Sequence, residues 1–165
     1  MIKIERIVVA ADFSEPSETA FTYGRALARN FDASLHLIHV VENALLYAGL
    51  DGVAVDISAI QAEAVASARF KLNALLTEPE RSELHATAVV KVGASPAHEI
   101  IDYAKYLRAD MIVMGTHGRG LMAHLLMGSV AEAVVRRAPC PVLTVRHPER
   151  EFVLPDALQL ATPTE

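Results

Sequence analysis

Ile7-Val8-Val9-Ala10-Ala11-Asp12-Phe13-Ser14-Glu15-Pro16 reads as a strand handing over to a helix. Five apolar residues run together with no polar alternation, which fits a strand buried on both faces, as in a parallel sheet covered by helices. Ser14 is a candidate N-cap and Pro16 falls in the first helical turn. Ala20, Gly24, Leu27, Ala28 and Phe31 then recur at helical spacing, predicting a helix over about Glu15 to Asn30. The same handover repeats outward along the chain. Leu35 to Val41 reads as a second strand. Glu42 to Asp56, with Gly49 and Gly52, reads as a loop. Ile57, Ile60, Ala64, Ala68, Leu72, Leu75 and Leu76 mark an amphipathic helix that Pro79 is expected to end. His85 to Val92 is a third strand, closed by Gly93. Ser95-Pro96 opens a helix striped by Ile100, Ile101, Ala104 and Leu107. Met111 to Met114 is a fourth strand ending at Gly115. After a glycine-bearing segment, a helix is expected over Ser129 to Ala138 and a fifth strand over Pro141 to Val145. Strands alternating with helices imply an α/β fold with a parallel sheet and helices on both faces. Periodicity does not fix the strand order. The body shows neither linker nor internal repeat, so one domain is expected over 1–147. An extension follows at 148–165, carrying Pro148, Pro155 and Pro163.

Composition narrows the function classes. The chain has 165 residues, of which 52% are apolar and 5% aromatic, with no Trp. Its core must therefore be built from Ala, Val, Ile and Leu. The formal charge of −5 gives no electrostatic case for binding nucleic acid or an anionic membrane. Cys140 is the single cysteine, so no internal disulfide is expected. Met1 to Arg6 alternates charged residues with Ile and does not look like a signal peptide. No stretch approaches the ~20 apolar residues of a membrane span. The expectation is a soluble, cytoplasmic protein.

In doubly wound folds, ligands bind beyond the carboxyl ends of the strands, where the strand order reverses. The segments to inspect are therefore Asp12-Phe13-Ser14, the stretch after Val41, and Gly115 to Ser129. The last reads Gly115-Thr116-His117-Gly118-Arg119-Gly120, then Leu121 to Met127, then Gly128-Ser129. Glycines let a backbone approach a phosphate closely, and inward amides make an anion-binding nest. A helix N-terminus adds unpaired N–H groups and a favourable dipole. This is not a Walker A loop, because no Lys precedes the Ser. Nor is it the dinucleotide fingerprint, because Asp12 has no glycines around it.

Gly115-x-x-Gly118, nine residues, then Gly128-Ser129 resembles the ATP-binding pattern of the universal stress protein family. Ile112 to Gly118, Gly128 to Glu132, Pro139 to Val142, Ile7 to Ser14 and Leu37 to Val40 are similar to that family's flanking signatures, so the resemblance spans roughly residues 4 to 146. It implies a three-layer α/β/α sandwich of Rossmann-like type, of the adenine nucleotide alpha hydrolase-like class, with strand order 3-2-1-4-5. It implies homodimers formed through the fifth strand, Pro141 to Val145. By position, Asp12 resembles the acidic residue near ribose and phosphates, and Ala10 a lining residue of the nucleoside pocket. Val40 resembles the residue whose backbone reads adenine, and Met114 and Gly115 the floor under the ribose. Gly118, Gly128, Ser129, Val130 and Ala131 resemble the phosphate cradle, with Arg119 an additional candidate. Many members carry a hydroxyl where Ala131 stands, so a phosphate here would rely more on backbone N–H groups. A carboxylate beside phosphates calls for a cation, so Mg2+ is expected with ATP, held mostly by phosphate oxygens and water.

Each signal has a plainer reading. Ser129-Val130-Ala131-Glu132 is also a capping box. Asp12 can serve the following helix alone. His117 and Arg119 can touch a phosphate or face solvent. Arg136 and Arg137 complement the dipole of the last helix. His36 and His39 lie on opposite faces of one strand and cannot chelate one metal together, and His98 and His124 have no spaced partners. Cys140 reads as a packed thiol. No catalytic residue and no side-chain metal ligand is assigned. The leading reading is an ATP-binding protein with the nucleotide as a regulatory ligand. The alternatives are a slow ATP hydrolase or phosphotransferase using Asp12, His117 or Arg119, an AMP or cyclic-nucleotide binder, and a ligand-free dimeric interaction module.

Overall fold

A computed structural model describes residues 3–43, 56–117 and 127–146. In chain order the elements are β1 (Arg6–Ala10), α1 (Glu15–Phe31), β2 (Ser34–Glu42), α2 (Ile57–Ala74), α3 (Glu78–Glu83), β3 (Thr87–Gly93), α4 (Pro96–Leu107), β4 (Met111–Gly115), α5 (Ser129–Arg137) and β5 (Val142–Val145). They form a five-stranded sheet of order β3-β2-β1-β4-β5, with every pair parallel. Val9 sits between Leu37 of β2 and Val113 of β4. The order reverses between β1 and β4, which makes the space above their carboxyl ends the switch point.

Side chains alternate across β1. Ile7 and Val9 join Leu35, Leu37, Ala20, Phe21, Ala28 and Leu72 in a core under α1 and α2. Val8 joins Ile38, Ile112, Ile100, Ile101, Ala104 and Val134 in a second core under α4 and α5. Ile7, Val8 and Val9 are 0% exposed, as the unbroken apolar run predicts for a strand covered on both faces. Truncating a side chain such as Ile112 to Ala carries the usual core cost of about 2–5 kcal/mol. Gly24 lets α1 lie close on the sheet, because a Cβ there would collide with Cγ2 of Val9.

Pro79 does not end the long helix. α2 stops at Ala74, and Pro79 instead lies in the first turn of α3, whose N-cap Thr77 forms a capping box with Glu80. Proline is at home there because its missing N–H would be unpaired anyway, and Thr77-Glu78-Pro79-Glu80 carries the Thr-x-x-Glu signature. The third strand begins at Thr87 rather than His85, because His85 turns the chain at φ 46°. Ser95 caps α4 as predicted, its side chain accepting from the His98 amide.

Candidate functional site

A cavity of about 940 Å³ opens above the carboxyl ends of β1, β2 and β4. Nine of the residues singled out from sequence line it: Ala10, Asp12, Val40, Met114, Gly115, Gly128, Ser129, Val130 and Ala131. Gly118, Arg119 and the proposed extension 148–165 lie outside the described residues.

The start of α5 forms one wall. Its N-cap is Gly128, not Ser129, and no side chain caps the helix. The predicted capping box is therefore absent: Ser129 is already helical, so its hydroxyl is not placed to reach back over the first turn. Gly128 itself is anchored, its N–H donating to the Thr116 carbonyl at 2.7 Å, while the Thr116 N–H donates to Val145 at 2.8 Å. Its carbonyl accepts from Glu132 at 2.9 Å. The amides of Ser129, Val130 and Ala131 thus precede the first intrahelical bond, and these three residues line the cavity. Gly128 has φ −73° and ψ 156°, a conformation open to any residue, so any requirement for glycine there concerns space and not backbone freedom. Gly115 is explained by packing, since a Cβ would come within 2.9 Å of Pro16 Cβ and 3.0 Å of its carbonyl carbon. Its lack of a side chain seats the end of β4 against the start of α1.

The exit of β1 forms the opposite lip. The Asp12 amide donates to Ser17 Oγ at 3.1 Å, and Asp12 Oδ1 accepts from both the amide and the hydroxyl of Ser14. Ser14 occupies the N-cap of α1 but donates to Asp12 instead of capping the helix. The plainer reading of Asp12, as a residue that organises the start of α1, is thus real, and the same carboxylate lines the cavity. Phe13 follows with φ 64°, a left-handed conformation that bulky residues rarely adopt. Its ring lies 4.5 Å from that of His39. His39 Nδ1 is 2.7 Å from the Ala11 carbonyl. A carbonyl only accepts, so Nδ1 carries the proton.

Sequence reasoning missed the third wall. Ala64, Ser67, Ala68 and Lys71 of α2 face the cavity at the spacing i, i+3, i+4, i+7 that places residues on one helix face. Such a stripe of small residues was legible, but it merges with the apolar stripe that packs α2 on the sheet. Phe13 and His39 were also missed as lining residues. His36 goes to the other face, as strand parity predicts, and meets the Tyr103 hydroxyl at 2.8 Å. Burial, with help from Arg6, lowers its pKa. Arg136 pairs with Glu132 at 2.8 Å, and Arg137 donates to the Ala133 carbonyl at 3.3 Å, so both serve the helix end. Burial raises the Cys140 thiol pKa, away from the reactive thiolate. Among the described residues no group of three His, Cys, Asp or Glu is placed to hold a metal, and no helix is long and apolar enough to cross a membrane.

A parallel sheet of order 3-2-1-4-5 with a cavity at its switch point defines a doubly wound α/β protein of the Rossmann-like class. The family model described as the universal stress protein family matches residues 3–146, and the chain belongs to that family. A universal stress protein of Methanocaldococcus jannaschii is 35% identical over 149 residues, 89% of this chain and 85% of that protein. Universal stress protein A homolog 2 of Coxiella burnetii is 33% identical over 148 residues, 88% of this chain and 97% of that one. The solved structure of universal stress protein UspA from Lactobacillus plantarum matches with a TM-score of 0.76 at 27% identity, covering 88% of this chain and 100% of that chain.

Proposed function

We propose that this protein binds an adenine nucleotide in the switch-point cavity, with ATP and Mg2+ as the leading ligand, and that the nucleotide acts as a regulatory ligand. The observation that carries the reading is the start of α5, which no side chain caps and whose first residues, Ser129, Val130 and Ala131, line a large cavity. Three aligned N–H groups at the positive end of a helix favour a phosphate. Ala131 has no hydroxyl, so the amides carry that contact. Adenine is assigned to the apolar slot beside Val40, and the ribose to the region of Asp12 and Met114. Solved structures that share this fold carry cAMP in one case and dAMP in another. At 24% and 23% identity, that likeness speaks to fold, and the argument for this chain rests on its own cavity. Asp12 lines the cavity with its Oδ1 engaged by Ser14, so Asp12 is assigned at most a minor share of the Mg2+ shell. The other ligands must be phosphate oxygens and water, the usual habit of Mg2+.

Calorimetric titration with ATP and Mg2+, alongside AMP and cyclic AMP, tests this, with Gly118→Val and Gly128→Val as controls. ATP binding that disappears in both variants supports the cradle. Stronger binding of AMP or cyclic AMP reassigns the ligand. No heat with any nucleotide overturns the reading in favour of an interaction module. Steady ATP turnover that falls in Asp12→Ala would revive the hydrolase reading. Dimerisation belongs to the same proposal. β5 is an edge of the sheet, and an edge strand leaves backbone groups open to pairing with a second copy. Light scattering that reports a monomer would remove that part.

A further inference from the structure

We propose that Lys71, on α2, is a phosphate-binding residue of this site, gripping the nucleotide from the face opposite α5. The inference rests on the proposed function and adds a specificity-determining contact to it. Among the described residues, the ionisable side chains lining the cavity are Asp12, His39, Glu42, Lys71 and His117. Lys71 is the one among them with a fixed positive charge at neutral pH. Without it, these walls would present two carboxylates to a polyanionic ligand, and a helix dipole is worth only part of a charge.

Lys71 is also available for the task. It forms no ion pair among the described residues, and its ammonium rests 5.8 Å from the centre of the Phe13 ring. A cation–π contact at an exposed site is weak, so the ammonium can exchange it for a phosphate oxygen at little cost. The ring that parks it is itself held in place, by the left-handed backbone at Phe13 and by packing on His39. Ala64, Ser67 and Ala68, on the same face of α2, are small and leave room beneath the lysine. The sheet separates α2 from α5: α1 and α2 cover one face, α4 and α5 the other. A phosphate chain seated on the α5 amides would therefore meet Lys71 from across the crevice. This supplies from a helix the cation that a Walker loop carries in its own turn.

The test compares ATP with adenosine, by calorimetry, on wild type, Lys71→Gln and Lys71→Arg. Lys71 is exposed, so neither variant threatens the fold. A charge-assisted contact to phosphate predicts that Lys71→Gln weakens ATP about tenfold, leaves adenosine unchanged, and flattens the salt dependence of ATP binding. Lys71→Arg should recover most of the loss. A Lys71→Gln variant that binds both ligands like wild type, or loses both by the same factor, overturns the assignment and leaves the site intact. A wild-type protein that binds neither ATP nor adenosine overturns this assignment and the proposed function together.

Discussion

The two ends of the sheet use the same kinds of groups in opposite ways. At the amino end, two carboxylates are matched to donors within the chain. Asp110 accepts the amides of Glu5 and Arg6, both at 2.9 Å. Glu80, 1% exposed, accepts the Thr77 amide at 2.8 Å and Arg25 at 3.1 Å, completing a capping box beneath α1. At the carboxyl end, α5 starts without a cap, Phe13 holds a strained backbone, and Lys71 rests on a ring. A helix start whose donors are satisfied internally adds stability, whereas one whose donors are left open is a binding surface that costs stability until a ligand arrives.

That contrast breaks most visibly at Glu80. Glu80→Ala should remove the capping box and leave Arg25 beside an apolar gap, costing about 2–4 kcal/mol in denaturant unfolding at neutral pH. Nucleotide affinity of the folded variant should not change, because the residue lies at the far end of the sheet. A variant that unfolds normally but loses nucleotide would show that the two ends are coupled. The pH dependence has a definite sign. Burial alone would raise the Glu80 pKa, but the Thr77 hydrogen bonds and the Arg25 guanidinium outweigh it and hold the carboxyl below its ordinary value. Glu80 therefore contributes stability above the ordinary carboxylate range. That contribution is lost as pH falls through the lowered folded value, and Glu80→Ala should show a shallower acid limb.

Ser129→Pro sharpens the comparison from the other end. Ser129 is the first residue of α5, where proline keeps the helix and removes only an amide hydrogen. Gly128, at ψ 156°, already has the extended backbone that a following proline demands. The expected result is unfolding stability close to wild type and ATP affinity weaker by about tenfold, the value of one hydrogen bond to a charged group. Unaltered ATP binding would mean that the Ser129 amide does not reach a phosphate.

The legibility of the sequence follows the same division. Buried strands and helix stripes were readable because burial imposes a period: Ile7 to Ala11 and Met111 to Met114 correspond to β1 and β4, two of the three interior strands. The resemblance supplied the strand order, and nine of the residues it pointed to meet in one cavity. Cap positions were less legible, because Ser-x-x-Glu at Ser129 and Thr-x-x-Glu at Thr77 look alike while only the second closes. The difference lies in the residue before: at α5 the chain is held by the Gly128–Thr116 hydrogen bond, which makes Gly128 the N-cap and shifts Ser129 into the helix. Pro79 was misread for the related reason that a proline ends one helix and starts another with the same residue. The α2 stripe was legible but its role was not, because Ala64, Ser67 and Lys71 become a wall of the site only when the chain after β1 brings Phe13 beside them, a contact between distant segments.

The smallest expected effect concerns His36, which shares β2 with His39 but faces the α4 side. Burial, and then the charge of Arg6, lowers its pKa, so the fold favours the neutral ring. A lowered histidine contributes stability that is present above its unfolded value of about 6.5 and lost as pH falls through the folded value. Between pH 7 and pH 5, wild-type unfolding stability should therefore fall through this residue. His36→Gln, which keeps a polar partner for Tyr103, should flatten that interval and leave nucleotide affinity at pH 7.5 unchanged. Persistence of the full slope in His36→Gln would assign it to another group. A change in affinity would carry the influence of the α4 face into the cavity, and the separation between the structural part of the sheet and its open end would then have to be drawn nearer to Ala10 and Val40.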